Sequence, residues 1–93
     1  HDEVIEDIVE ENENSFLVQG TLLLEEMFEK FDIEDEDSDA DTVSGWIMEK
    51  LGHIPEANES FEYENLKFTI TETLNRRIIE VRIERLESKS EDD

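Results

Sequence analysis

An α+β domain, with two helices packed on a mainly antiparallel sheet in the order β-β-α-α-β-β-β, is what this sequence predicts. Three observations lead there. Residues 24–31 and 43–51 place apolar side chains at spacings of three and four, the period of a half-buried helix. Residues 61–83 instead alternate apolar and polar side chains between short polar turns, the period of strands. A chain of 93 residues is also long enough for one domain and too short for two.

The first element is ambiguous by period. Val4, Ile5, Ile8 and Val9 suit a helix stripe by spacing and a strand by β-branching. Ser15-Phe16-Leu17-Val18 reads as a strand, and Glu11-Asn12-Glu13-Asn14 before it is turn-like. A strand needs a neighbour, so a hairpin is expected. Gly20 breaks the run. Thr21 is then placed to cap a helix reaching about Phe31, with Leu24, Met27, Phe28 and Phe31 on its buried face. Thr42 is placed to cap a second helix through Leu51, burying Val43, Trp46, Ile47 and Leu51. Gly45 leaves room for a close backbone approach, and Gly52 followed by Pro55 ends the helix. Phe61 and Tyr63 begin the strands, and Glu64-Asn65 turns the chain. Leu66, Phe68 and Ile70 face inward; Leu74-Asn75-Arg76-Arg77 turns again; Ile79, Val81 and Ile83 face inward on the last strand. Trp46, Phe61, Tyr63 and Phe68 read as core aromatics, since the two periods already account for them.

The formal net charge is −21, and its placement matters more than its size. Acids crowd residues 1–13, the loop 32–41 and the tail 87–93, whereas residues 42–86 carry eight acids against six bases. The folded part is therefore near balance, and the acidity sits in the ends and one loop. Such a charge excludes nucleic acid as a partner, because phosphate binding needs a basic surface. It also disfavours an anionic lipid surface. The longest apolar runs, such as Leu22 to Leu24, are far too short to insert in a bilayer. No cysteine is present, so disulfides and thiolate metal sites are excluded. The N-terminus is acidic rather than basic and then apolar, unlike a secretory leader, and the opening His1 predicts a segment of a longer chain. The expected organisation is one domain over 1–86, with 1–7 as a linker, and an acidic tail over 87–93.

The loop is the candidate site. Asp35, Asp37, Asp39 and Asp41 stand at every second position, like the opening of a calcium loop. An EF-hand is nonetheless rejected. Its sixth position needs a sharply turning glycine and is Ala40; its twelfth needs a bidentate glutamate and is Trp46. What is left is a weak site for a hard cation, magnesium or calcium, at Asp35, Asp37, Asp39 and Asp41; the competing reading is a solvated linker. No catalytic residues are expected. His1 and His53 are the only histidines and are not spaced as a ligand pair. The serines lack a nucleophile-elbow context, and three scattered glycines make no phosphate loop. Arg76 and Arg77 could meet an anion, but a hairpin turn calls for polar residues anyway.

The run Thr42-Val43-Ser44-Gly45-Trp46-Ile47-Met48-Glu49-Lys50-Leu51-Gly52-His53-Ile54-Pro55 resembles the CorC/HlyC transporter-associated domain, in which a TxxG helix start leads to an LGxIP exit. Ser15-Phe16-Leu17-Val18-Gln19-Gly20 is similar to its S-(F/Y)-L-V-x-G strand. Phe61-Glu62-Tyr63, Leu66-Lys67-Phe68, Arg76-Arg77-Ile78 and Val81-Arg82 are similar to its closing strands. Gln19 replaces a common Asp, and His53 a common Arg. The resemblance spans residues 8–86 and implies a cytosolic domain that follows a membrane domain of the DUF21/CNNM type and a pair of CBS domains. It implies parent proteins of magnesium and cobalt efflux, many called hemolysin-like, whose transport this domain modulates. It implies a location on the cytoplasmic side of the cell membrane within an integral membrane protein. The fold it implies is grouped with FAD-binding domains; FAD as a cofactor would follow by fold analogy alone, since no residue here carries flavin contacts. The expected function is thus a regulatory domain of a membrane ion transporter. The alternatives are a divalent-cation sensor acting through loop 32–41 and a flavin-binding domain. An exposed edge strand leaves room for a homodimer.

Overall fold

The computed structural model describes residues 7–86. It contains β1 (Ile8–Asn12), β2 (Ser15–Gln19), α1 (Leu24–Phe31), α2 (Val43–Leu51), β3 (Ser60–Tyr63), β4 (Leu66–Leu74) and β5 (Arg77–Arg85). The predicted α+β class and element order are those observed. Most of the predicted linker 1–7, with Val4 and Ile5, and the whole tail 87–93 lie outside the described residues.

The strands form one antiparallel sheet in the order β1-β2-β5-β4-β3. Both helices bury their apolar stripes against one face of it. Leu24, Met27 and Phe31 from α1 and Val43, Trp46 and Ile47 from α2 meet Phe16, Val18, Phe68, Ile70, Val81 and Ile83 from the strands. Trp46 is the centre of this core and is wholly buried. Phe28, Tyr63 and Phe68 meet its ring edge-on with centroids 5.1–5.6 Å away, and Phe61 stacks on Phe68 at 5.0 Å. Edge-to-face contacts of this kind stabilise by about 0.5–1.5 kcal/mol each beyond the burial of area.

The first ambiguity resolves as the hairpin, with Val9 opposite Leu17 and Glu10 opposite Phe16. A bulge between Glu10 and Asn12 frees Glu11, whose carboxylate accepts from Ser15 Oγ and from Arg82 Nε, both at 2.9 Å. The Arg82 guanidinium, and then the Ser15 hydroxyl, hold the Glu11 carboxyl below its usual range.

Three details differ from expectation. Helix α1 begins at Leu24, and Thr21 does not cap it; Leu23 is the N-cap and offers no side-chain acceptor. The start is instead set by backbone pairing: Leu24 N–H donates to the Asp41 carbonyl at 2.9 Å, and Val43 N–H donates to the Leu22 carbonyl at 3.0 Å. Secondly, Ile78 is buried where Ile79 was expected, because the β4–β5 register shifts between Ile70 and Thr73 and an extra β5 residue precedes Glu80. Thirdly, the close backbone approach occurs at Gly20 rather than Gly45. A Cβ on Gly20 would overlap the carbonyl oxygen of Ile78, whereas one on Gly45 would meet ordinary contacts. Helix α2 keeps its expected ends: Thr42 Oγ1 accepts from Gly45 N–H at 3.2 Å, and Gly52 closes the helix with φ of 76°.

Candidate functional site

Loop 32–41 runs from the C-terminus of α1 to the cap of α2, and it is held down along its length. Asp32 takes a left-handed φ of 60° to leave the helix, and Ile33 N–H donates to the Phe28 carbonyl at 3.1 Å. The Tyr63 hydroxyl donates to the Glu34 carbonyl at 2.9 Å. Asp35 then turns inward. Its Oδ2 accepts from Trp46 Nε1 at 3.0 Å and from Lys50 Nζ at 2.6 Å, and its Oδ1 accepts from Asp37 N–H at 3.2 Å. Ser38 Oγ donates to Glu49 Oε1 at 2.6 Å and accepts from Ala40 N–H at 3.1 Å. The segment is an ordered strap across the base of the aromatic core, and the solvated-linker reading does not describe it.

The electrostatics follow from these partners. The Asp35 side chain is only 8% exposed, and the Lys50 ammonium, then the Trp46 indole N–H, hold its carboxyl below the usual range. The same contact raises Lys50, chiefly through the hydrogen bond to Asp35. Lys50 also lies over the Tyr63 ring at 5.1 Å and the Trp46 ring at 5.8 Å, so the aromatic faces share its charge. Burial, and then the Asp35 charge, push the Tyr63 phenol up.

Of the four predicted metal ligands, Asp35 faces Lys50 and Trp46, while Asp37, Asp39 and Asp41 are exposed. Among the described residues, no group of three or more His, Asp or Glu side chains is gathered to hold a metal ion. His53 sits past α2, with Nε2 2.5 Å from Glu59 Oε2. The Glu56 backbone N–H, and then His53, lower the Glu59 carboxyl. Arg76 and Arg77 lie at the exposed tip of the β4–β5 hairpin. Sequence reasoning missed Lys50, Glu49 and Tyr63 as the tethers of the loop. Their partners are 15, 11 and 29 residues distant, and no local pattern marks such pairs.

Beside the strap, the N-terminal turn of α1 and the end of the loop enclose an open cleft of about 540 Å³. Leu23, Leu24, Phe28 and Ala40 supply apolar walls, and Glu25 and Asp41 stand among its lining carboxylates. Such an arrangement offers apolar contact and negative charge, and no nucleophile–base pair.

Comparison with known proteins places this geometry. The sequence profile of the transporter associated domain, CorC_HlyC, matches residues 9–87. The chain is 33% identical over 79 residues, 85% of its length, to the magnesium and cobalt efflux protein CorC of Buchnera aphidicola. It is 32% identical over 88 residues, 92% of its length, to hemolysin C of Brachyspira hyodysenteriae. It is 31% identical over 87 residues, 91% of its length, to the polyamine export protein of Salmonella typhimurium. It spans only 28%, 32% and 20% of those relatives. Among solved structures, the CorC-associated region from Neisseria meningitidis superposes with a TM-score of 0.81 at 25% identity, covering 87% of this chain and all of that one. The CorC_HlyC domain of a Xylella fastidiosa hemolysin, solved in complex with Mg²⁺ and Mn²⁺, superposes with a TM-score of 0.78 at 28% identity, covering 88% of this chain and all of that one. The family is one of transporter-associated domains. With its sheet order, its two helices and nearly all its described length accounted for, this chain belongs to the CorC_HlyC transporter associated domain family.

Proposed function

We propose that this domain is a regulatory, accessory part of a membrane ion transporter of the magnesium and cobalt efflux type, and that it modulates transport from the cytoplasmic side of the cell membrane. One observation carries the reading: the domain recurs in relatives named for different cargoes, magnesium and cobalt in one and polyamine in another. A part shared between small divalent metal ions and a long organic cation suits control of the machinery better than choice of cargo. No helix among the described residues is long and apolar enough to cross a membrane, which suits a part that works beside the spanning segments. Its partners in this reading are the membrane and CBS domains of one parent chain, and a second copy could pair at the free edge of β1 or β3. Efflux of Mg²⁺ and Co²⁺ should be compared in vesicles carrying the parent chain with and without residues 8–86. Rate or set-point should change while ion preference stays the same; unchanged transport, or a changed preference, overturns the reading.

A second reading is direct sensing of a divalent cation at Asp35, Asp37, Asp39 and Asp41. The Mg²⁺ and Mn²⁺ of the Xylella domain speak for it. The present geometry does not fit a resident ion there, because Lys50 already neutralises Asp35 and the other three carboxylates are not gathered with it. Titration with millimolar Mg²⁺ or Ca²⁺, followed by amide shifts of residues 32–41, separates the two. A saturable shift supports sensing, and a flat response removes it. A flavin has no observation in its favour, and a colourless protein that ignores added flavin retires that alternative.

A further inference from the structure

We propose that the cleft between the start of α1 and the end of loop 32–41 is a docking groove for a basic, amphipathic peptide segment, of the kind that borders membrane spans on the cytoplasmic side. The proposal rests on the regulatory reading above for its setting and on the cleft itself for its chemistry.

The cleft has the form of a peptide-binding notch. Its volume of about 540 Å³ is that of a few side chains, and it opens to solvent. Leu23 is 50% exposed on its wall, one of three large apolar side chains at least half exposed among the described residues. Nothing about helix formation requires a leucine there. Leu23 is the N-cap of α1, a position where Ser, Thr, Asp or Asn would accept a hydrogen bond, and it makes no such bond. The fold forgoes a cap and presents an apolar side chain to water beside the half-buried Phe28. Leu24 N–H on the Asp41 carbonyl and the Leu23–Thr42 bridge tie the two walls together.

Charge selects the occupant. Glu25 and Asp41 on the rim have no ion pair among the described residues, and Asp37 and Asp39 extend the negative field. Lys50 is engaged with Asp35, which also lines the cleft. A second copy is disfavoured as the occupant of this groove, because its acidic ends and loop would meet an acidic rim. An anionic lipid surface is disfavoured on the same ground. A segment with an apolar side chain between Lys or Arg residues satisfies both walls and rim. Cytoplasmic flanks of membrane spans are enriched in such residues. Complementary charge of this sort speeds and orients docking, while the apolar anchor sets the lifetime of the complex.

The probe is a synthetic 12-residue peptide of alternating Lys and Leu clusters, titrated into the 93-residue chain, with a Lys-only peptide as control. Saturable amide shifts centred on Leu23, Phe28 and Ala40 are expected, with at least tenfold weaker binding to Glu25→Lys and to Leu23→Ser. Equal shifts with the Lys-only peptide, spread over every acidic segment, overturn the proposal as general ion attraction. Shifts at the groove that grow with protein concentration alone overturn it in favour of a second copy. In the parent chain, transport is then compared for Glu25→Lys and for removal of residues 8–86. If removal alters transport and the groove variant does not, the regulatory reading stands and the groove is not its route. If neither alters transport, the regulatory reading fails, and the peptide titration alone decides the groove.

Discussion

Asp35 in the acidic loop and Lys50 in the last turn of α2 meet at 2.6 Å, and this contact converts a run of like charges into an ordered strap. Because Trp46 donates to the same carboxylate oxygen, the contact also fixes the indole at the centre of the core. Replacing Asp35 by Asn, or Lys50 by Met, should lower Tm and speed amide exchange across 33–40. In the double variant the two effects should be less than additive, since either change breaks the same pair. Full additivity in a thermal melt would show that the contact is not formed in solution.

The pH dependence follows with a definite sign. The folded-state carboxyl of Asp35 is lowered by Lys50 first and Trp46 second, so its contribution is present above the ordinary carboxylate value of about 4 and is lost as pH falls through the folded value. Lys50 is raised, so its share is complete below about pH 10 and is lost as pH rises through its folded value. The difference in Tm between the parent sequence and Asp35→Asn should therefore be flat near neutrality and shrink in acid. Taking the difference removes the general relief of self-repulsion that acid brings to so negative a chain.

Gly20 is the position least tolerant of a methyl group. Its N–H donates to the Ile79 carbonyl and its carbonyl accepts from Ser44 N–H, both at 2.9 Å, which presses it onto Ile78. Gly20→Ala should cost about 1–3 kcal/mol or more through forced backbone movement, whereas Gly45→Ala meets only ordinary contacts. Urea midpoints of the two variants decide it, and equal midpoints would contradict the packing described.

Thr42 and Arg76 test local conformation in opposite directions. Thr42→Ala removes the acceptor for Gly45 N–H and should cost about 1 kcal/mol, while Thr42→Ser should be nearly neutral. Asn75 and Arg76 both have positive φ, 55° and 67°, as a two-residue hairpin turn requires. Arg76→Gly should relieve the left-handed cost and stabilise by about 0.5 kcal/mol. A loss of stability would show that the arginine makes a compensating contact.

What was legible in the sequence was whatever a local period or cap encodes. The alternation of Leu66, Phe68 and Ile70 located β4, and Thr42 with Gly52 bracketed α2. Capping preference points to Thr21 for the start of α1, but the first helical N–H pairs with Asp41, beyond the reach of any capping rule. Strict alternation points to Ile79 rather than Ile78, because it carries no sign of a bulge. Alternating aspartates in the loop suggest metal ligands, whereas the structure places one of them, Asp35, on a lysine. That lysine lies one helix away, and its approach depends on how α2 seats against the sheet. The cleft at Leu23 was likewise invisible, since it needs both walls in place before it exists.

The strand order has a consequence for how the chain is made. β5 lies between β2 and β4, yet it is the last of the five described strands to be synthesised. Until it leaves the ribosome, the β1–β2 and β3–β4 hairpins have no common sheet, and each exposes an unpaired edge. Folding must therefore wait for Arg85, and it joins partners as far apart as Ser15 and Glu84. Such late closure slows assembly and leaves the nascent hairpins dependent on their own acidity, or on a chaperone, to stay apart from other chains.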